Sequence, residues 1–361
     1  LPDVLYDEQL RRKQRRLADR LCVHVPPLIP SPRQAAFRQK AAFVFGSSAR
    51  GLVMGHYAAG SKRIVPVAEC PVHSARANRI AFALRDHLAR ARVAAADRPG
   101  GVLRYLVVRA TEDDSEAVAM LVVTRNDRSL RAPVRALLAS AEAPDGFSLN
   151  INARQGPIMV GEETIRIAGR SHVREKGIAV AGGAVDFLVA PDAFFQTNVG
   201  AARELVALVV DGVGSATRVL DLYCGSGLFA LPIALRGATV TAIEENRQAI
   251  EDLKANVRLN RLPAGRIRPI AARVEDALSR VGRDRWDAVV LDPPREGCAA
   301  GVLSSIVERI RPGRVVYVSC NPEALARELP SVLESGYRIE RVQAVDMFPH
   351  TDHIETVVTL S

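Results

Sequence analysis

Residues 219–246 read VLDLYCGSGLFALPIALRGATVTAIEEN, and this stretch decides the fold. An apolar run, VLDLYC (219–224), carries an acid and passes through a glycine-rich turn into a helix; a second run, TVTAIEEN (239–246), follows. Strand, turn, helix and strand form the unit of a parallel sheet, because parallel neighbours need a crossover long enough to hold a helix. The rhythm continues outward through RIRPIAA (266–272), AVVLDPP (288–294), VVYVSCNP (315–322), YRIERVQAVDMF (337–348) and HIETVVTL (353–360). Helical patterns at 200–210, 248–259, 302–310 and 323–335 lie between several of them. The alternation predicts an α/β fold, a doubly wound sheet with mostly parallel strands.

From residue 37 to about 185 the pattern changes. Short alternating runs, AAFVFG (41–46), GLVMGHY (51–57), RIVPV (63–67), YLVVRAT (105–111), AVAMLVV (117–123), SLNINA (148–153), PIMVG (157–161) and TIRIAG (164–169), are broken by Gly, Asn and Asp turns. Helical stretches at 75–92 and 132–141 interrupt them, so an α+β module dominated by antiparallel pairing is expected. Ahead of it, residues 6–21 read as an amphipathic helix with Leu10, Leu17 and Leu21 on one face and Arg11, Arg12, Arg15, Arg16 and Arg20 around the other. Pro26, Pro27, Pro30 and Pro32 then read as a stiff linker. The expected division is 1–32, basic helix and linker; 33–188, strand-rich domain; and 189–361, α/β domain.

Of the 361 residues, 48% are hydrophobic and 25% charged, which excludes a mainly disordered, collagen-like or disulfide-scaffold chain. No window approaches the ~18 uninterrupted apolar residues of a membrane-spanning helix. Five widely spread cysteines without a CxxC pair imply reduced thiols and a cytoplasmic setting, the alternative being an organelle matrix after removal of an import sequence. The start at Leu1, with neither initiator Met nor a charged-then-apolar leader, implies a truncated or processed form. Residues 1–100 hold 18 Lys and Arg against 7 Asp and Glu, a net of +11 in a chain whose total is +9. Only five of the 49 basic residues are Lys, and Arg pairs bidentately with phosphate. On charge alone, a polyanion partner and a merely solvated basic surface are equal readings.

Gly225 and Gly227 let the backbone approach a ligand, and the helix N-terminus beyond them offers unpaired N–H groups. Glu244 ends the second strand 19 positions after Gly225, where an acid accepts the ribose hydroxyls of a nucleoside. This motif fits a nicotinamide enzyme and an S-adenosylmethionine enzyme equally. The turn Asp292-Pro293-Pro294-Arg295 separates them, since two prolines fix the backbone and free Asp292 and Arg295 to enter the crevice. Holding a nucleobase edge-on uses such a turn; hydride transfer does not. Cys320, ending the fifth strand, projects from the same edge as a soft nucleophile whose pKa nearby Arg and a helix N-terminus would lower. Cys22, Cys224 and Cys298 read as small buried hydrophobes. Glu355 lies between Ile354 and Thr356 at the start of a β-branched run, where burial raises a carboxyl pKa and suits it to take a proton from carbon. His350, Asp352 and His353 are too thin a set for a metal, and none is assigned. Together these groups describe uracil C5 methylation: Cys320 adds to C6, C5 takes the methyl group, and Glu355 removes the C5 proton so that the thiol is expelled.

The motifs FFQTN (194–198), DLYCGSG (221–227), DPPREG (292–297), SCNP (319–322) and DMFPHTDHIE (346–355) resemble those of the RNA 5-methyluridine methyltransferase family. The resemblance is closest to its bacterial 23S ribosomal RNA uracil-C5 members without a TRAM domain. Weaker similarity runs through FRQK (37–40), ECP (69–71), LRYL (103–106), LNIN (149–152) and GEET (161–164). It implies a Rossmann-like class I methyltransferase domain with a seven-stranded sheet and S-adenosyl-L-methionine as cofactor. Gln196, Tyr223, Glu244 and Asp292, with Gly225 and Gly227 of the turn, are then expected to contact it, and Asp276 to lie near its adenine. Cys320 is implied as nucleophile, Glu355 as base and Arg295 as an auxiliary catalytic or phosphate-orienting residue.

Many relatives bind a [4Fe–4S] cluster through three closely spaced cysteines ahead of a Y-x-x-Q-L helix and a fourth in an E/D-C-P segment. Cys70 matches the fourth, but the first three would fall before Tyr6: either they were lost upstream of Leu1 or the protein has dispensed with the cluster, which a single cysteine cannot hold, leaving Cys70 as a remnant ligand. RNA is the expected partner, gripped by the basic first segment and the strand-rich module, with a flipped-out target base. Ribosomal RNA is the favoured target and the tRNA T-loop uridine the runner-up. Two other readings stay open: a non-catalytic RNA-binding assembly factor, and an adenine amino-methyltransferase, which has no use for Cys320.

Overall fold

The computed structural model describes residues 4–49, 51–154, 156, 158–180, 182–281 and 284–361. One unit comprises residues 1–34, 176–187 and 194–361; the other comprises 35–175 and 188–193. Helix α1 (Tyr6–Leu21) opens the chain over the span expected from its periodicity.

In the second unit β1 (Lys40–Ser48), β2 (Gly51–Tyr57), β3 (Ile64–Pro66), α2 (Ala75–Arg90), β4 (Leu103–Ala110), β5 (Ala117–Val123), α3 (Arg131–Leu138), β6 (Gly146–Ile151) and β7 (Glu163–Gly169) follow one another. The strands form one sheet in the order β3-β2-β1-β4-β5-β6-β7. Pairing is antiparallel except between β5 and β6, where α3 supplies the crossover that a parallel pair requires. Ser74 caps α2 by accepting from the Ala77 amide. The helix then buries Ile80, Ala81, Leu84 and Leu88 in one core with Phe43, Leu106 and Leu121. The expected strand PIMVG is not one: residues 158–161 are irregular, and Pro157 lies outside the described residues. The cause is local competition for the backbone. Asn150 Nδ2 donates to Gly161 O and its Oδ1 accepts from Gly161 N, while Asn152 Nδ2 donates to the carbonyls of Ile158 and Met159.

Strands β8 (Val173–Val180) and β9 (Gly183–Val189) make a hairpin that the sequence signalled poorly, being rich in Gly and Ala. Beyond it come α4 (Val199–Val213), β10 (Arg218–Leu222), α5 (Ala230–Leu235), β11 (Thr239–Glu244), α6 (Arg247–Leu259), β12 (Ile267–Ala271), α7 (Val274–Val281), β13 (Ala288–Leu291) and α8 (Val302–Ser304), which continues as a π-helical turn over Ser305–Ile310. The chain finishes with β14 (Arg314–Ser319), α9 (Pro322–Glu334), β15 (Ile339–Val345) and β16 (Glu355–Leu360). These strands form the expected doubly wound sheet, in the order β12-β11-β10-β13-β14-β16-β15. The first five are parallel; β16 is antiparallel to both β14 and β15. No helix among the described residues is long and apolar enough to cross a membrane.

Residues 4–34 lie within this sheet's unit instead of standing apart as a basic helix and linker. Leu17 and Leu21 enter the core beside Val25, Leu28 and Trp286. The proline-rich segment runs along β15: Ile29 N donates to Ala344 O and Asp346 N to Ile29 O, both at 2.9 Å. It thereby covers an edge that would otherwise expose unpaired backbone. Lys13 is not one of the surface bases. It is 2% exposed and donates to Asp346 Oδ1 at 2.7 Å, and Asp346 is fully buried. Tyr6 Oη donates to the other oxygen of Asp346 at 2.8 Å and accepts from the Ser31 amide. Replacing Lys13 by Met strands a buried carboxylate and should lower unfolding stability by about 3–5 kcal/mol. Urea unfolding checks this, and a loss below about 1 kcal/mol would mean that the pair does not hold α1 in place.

Candidate active site

Strand order reverses direction at β10, with β11 on one side and β13 on the other, so the loops leaving these strands diverge and open a crevice. The carboxyl ends are aligned by register: Leu222 with Leu291, and Leu291 with Tyr317. Asp292 and Cys320 therefore leave neighbouring strands at one edge. Strand β16 arrives there from the opposite direction. Ser319 pairs with Thr356, so Cys320 and Glu355 are the next residues on each side of that pair, and Glu355 itself pairs with Val345.

Tyr223 takes φ 61° and Gly225 φ 53° in the turn after β10, while Gly227 has φ 95°. A Cβ on Gly227 would meet Leu231 and Leu253 side-chain carbons at 2.3 and 2.4 Å, whereas one on Gly225 would meet nothing within 4 Å. Gly227 thus closes α5 onto the core, and Gly225 borders open space. Glu244 Oε2 accepts from Gly225 N at 3.2 Å and Oε1 from Asn246 N at 2.9 Å, which orients its carboxylate at the turn. Tyr223 Oη accepts from the Ala299 amide, tying this turn to the segment after DPPREG. Gln196 is 8% exposed, two residues before Asn198, which caps α4 and donates to Ser31 Oγ and Met347 O. Asp276 is exposed in the first turn of α7. Asp221, the acid within the β10 run, is fully buried and neither of its oxygens makes a hydrogen bond of ordinary geometry. Burial, Asp292 and Glu244 hold its pKa well above the usual carboxylate range, the Ala230 amide offsetting only part of this. A buried acid with spare acceptors under a glycine turn suits a bound group rich in donors.

At the far end of the crevice, burial pushes Asp292 up to about 7. Burial, then the charge of Asp292, hold Glu355 well above its usual value, with Arg295 acting in the opposite sense. Cys320 was expected to have a lowered pKa; instead it is pushed up to about 11, first by burial and then by Glu355 and Asp292. Arg295 lowers it only in part, since its own side chain is exposed and screened. Burial thus favours the protonated forms of this thiol and these acids. His350 is a satisfied turn residue: its amide donates to Gln9 Oε1 at 2.9 Å, and its Nε2 lies 3.1 Å from Gln34 O. Cys224 is buried as expected, but Cys22 is exposed, capping α1 with φ 53°, and Cys298 is half-buried beside Tyr317.

The unit that holds Cys70 contains no second cysteine, and the donors beside Cys70 are His56 and His73.

A doubly wound seven-stranded sheet of this order, with its antiparallel last pair, is the fold of class I methyltransferases. The chain belongs to the tRNA (uracil-5-)-methyltransferase family, whose profile matches residues 5–361. It is 35% identical over 364 residues to an uncharacterized RNA methyltransferase of Geobacter sulfurreducens, covering 98% of this chain and 70% of that protein. A second, from Gloeobacter violaceus, is 35% identical over 369 residues, with 98% and 78% covered. The structure of a Pyrococcus abyssi tRNA (uracil-54, C5)-methyltransferase in complex with S-adenosyl-L-homocysteine matches with a TM-score of 0.85 at 29% identity, covering all of this chain and 85% of that one.

The raised pKa of Glu355 has a signed consequence for stability. An acid with a raised folded pKa contributes fully below its unfolded value, near 4.5, and the contribution is lost as pH climbs towards the folded value. Glu355→Gln should therefore flatten the loss of stability as pH rises above about 4.5. Urea unfolding across that range tests it, and parallel pH slopes for the two proteins would refute it.

Proposed function

We propose that this enzyme methylates uridine at C5 in RNA, with Cys320 as nucleophile and Glu355 as base. The observation that carries the proposal is the placement of these two residues across the end of the β14–β16 pairing, with Asp292 and Arg295 acting electrostatically on both. Uracil C5 is a weak nucleophile. Bonding of the Cys320 sulfur to C6 moves the C5–C6 electron pair towards the C4 carbonyl and makes C5 reactive. S-adenosyl-L-methionine, when bound, supplies the methyl group as a sulfonium. Glu355 takes the C5 proton, the electron pair re-forms C5=C6, and the bond from C6 to Cys320 breaks. Arg295 favours both the thiolate and the carboxylate, so it sets the ionisation on which both steps depend. The cofactor would be held by Tyr223, Gly225, Gly227 and Glu244 at the β10 and β11 ends, by Gln196 and Asp292, and by Asp276 towards its adenine. Unpaired acceptors on Asp221 and open space at Gly225 support that placement.

The proposed RNA-binding parts are the strand-rich unit and α1. On α1, Arg12, Arg15, Arg16, Asp19 and Arg20 share one exposed face. Glu8 and Glu323 hold several of these bases in place through exposed ion pairs, which a phosphate can replace at little cost. The target uridine is flipped out of its stack to reach Cys320. Ribosomal RNA of the 23S type is favoured by the motif resemblance; uridine 54 of tRNA is the second reading, favoured by the likeness to the Pyrococcus abyssi enzyme. The enzyme acts in the cytoplasm, where reduced thiols persist.

RNA containing 5-fluorouridine lacks the C5 proton that Glu355 must remove, so it should form a stable adduct with the wild type and none with Cys320→Ala. Mapping the adduct in ribosomal and transfer RNA decides the target, and absence of any adduct would sink the proposal. With ordinary RNA, Glu355→Gln should slow turnover by about 10²–10⁴-fold and accumulate the Cys320-linked species. Arg295→Met should move the rising limb of the pH–rate profile to higher pH and cut the rate near neutrality by roughly tenfold or more. An unmoved limb would remove Arg295 from the ionisation argument.

A further inference from the structure

Arg295 has an exposed side chain, so packing around the guanidinium does not fix its place; its backbone does. Helix α9 supplies the fixings, and it is capped by Asn321, the residue after Cys320. Asn321 Oδ1 accepts from the Glu323 amide at 3.0 Å, and its Nδ2 donates to Arg295 O at 2.8 Å. Further along the helix, Arg327 donates to Glu296 O at 2.7 Å, and Glu328 Oε1 accepts from the Cys298 amide at 2.9 Å. Arg327 is 62% exposed, whereas the Glu328 side chain is 11% exposed. Tyr317 Oη on β14 donates to Glu328 Oε2, so both carboxylate oxygens are engaged. Gly297 takes φ 97° within this segment, and a Cβ there would lie 2.0 Å from Glu328 Oε1 and 2.8 Å from its Cδ. The missing side chain thus lets the backbone close on the carboxylate. A sheltered carboxylate that accepts from an amide and a hydroxyl holds more firmly than an exposed contact, for which water competes.

We propose that Glu328 is a positioning residue: it anchors the segment 295–298 to α9 and so fixes Arg295 relative to Cys320. The inference rests on the reading of Cys320 as nucleophile and Arg295 as the charge that favours its thiolate. One helix carries both reference points, since its cap adjoins the thiol and Glu328 grips the chain three residues beyond Arg295. The groups acting on the thiol are Glu355 of β16 and Asp292 at the end of β13, which raise its pKa, and Arg295, which lowers it. Glu323 at the start of α9 is paired with Arg16, and His353 ahead of β16 feels the same Arg295. Coulomb attraction falls with distance and with hydration, so a loosened Arg295 leaves the two acids less opposed. Positioning and direct charge therefore predict opposite signs. Deleting the anion at Glu328 by itself would lower the thiol pKa, whereas releasing Arg295 raises it.

Iodoacetamide alkylation of Cys320 in the intact protein, followed over pH and mapped by mass spectrometry against the exposed Cys22, reads this without RNA. Glu328→Ala should move the Cys320 profile to higher pH by about 0.5 unit or more. Glu328→Asp, which keeps the charge and withdraws the carboxylate, should move it in the same direction and serves where the alanine variant fails to fold. Glu328→Gln should restore the wild-type profile, because its Oε1 still accepts from Cys298 and its Nε2 donates to Tyr317. Arg295→Met should give a shift at least as large, and adding Glu328→Ala to it should change nothing further. A profile that stays in place or moves to lower pH in the alanine and aspartate variants overturns the proposal, as does a shift that persists undiminished in the Arg295→Met background. The 5-fluorouridine adduct tests the activity separately. An adduct with an unmoved profile overturns only the role of Glu328, and a moved profile without an adduct overturns only the uridine chemistry.

Discussion

One pairing organises the active edge of this protein: β16 enters antiparallel beside β14, with Ser319 opposite Thr356 at the end of the ladder. Had the last strand run parallel to β14, its amino end would lie at the opposite edge of the sheet from Cys320. Antiparallel entry brings the start of one strand to the finish of the other, and two groups 35 positions apart in sequence become neighbours. The far side of β16 is set by Val345 opposite Glu355, and the next residue, Asp346, is the acid that Lys13 and Tyr6 hold. The amino-terminal helix therefore stabilises the strand end on which the proposed base depends, through contacts that never touch the crevice.

Burial dominates the electrostatics of that edge. Asp221 and Glu355 are buried and Asp292 is half-buried, and each is displaced towards its protonated form. The same burial, with the neighbouring acids, raises Cys320. A thiol and several acids sharing a low-dielectric space cannot all ionise. Arg295 is the counterweight, and its exposure makes it a weak one until something covers it. An RNA base seated over the edge would do so, linking substrate binding to the ionisation that the proposed chemistry requires.

The basic excess of the first 100 residues also acquires structure. It is not one uniform surface. Lys13 serves the core, and Arg76 pairs with Asp145 at 2.9 Å. Five exposed arginines share α1, where Glu8 and Glu323 pair with them, and further exposed bases such as Lys62, Arg63, Arg92 and Arg98 lie in the strand-rich unit.

Much of this was legible in the sequence wherever the information is local. The period of α1, the glycine turn at Gly225 and Gly227, the DPPR turn and the position of Cys320 at a strand end all follow from side-chain spacing and backbone preference within a few residues. Those preferences do not depend on what packs nearby, so sequence by itself determined the doubly wound sheet and the chemical groups at its edge. Tertiary structure alone decided that Lys13 is a buried partner of Asp346, that Asn150 and Asn152 dissolve an apparent strand, that Asp221 lacks partners, that His56 meets Cys70 and His73, and that the Cys320 thiol is raised and not lowered. Each depends on residues brought together from distant positions and on how completely water is excluded around them. Burial and long-range pairing are properties of the packed chain, which no local spacing encodes.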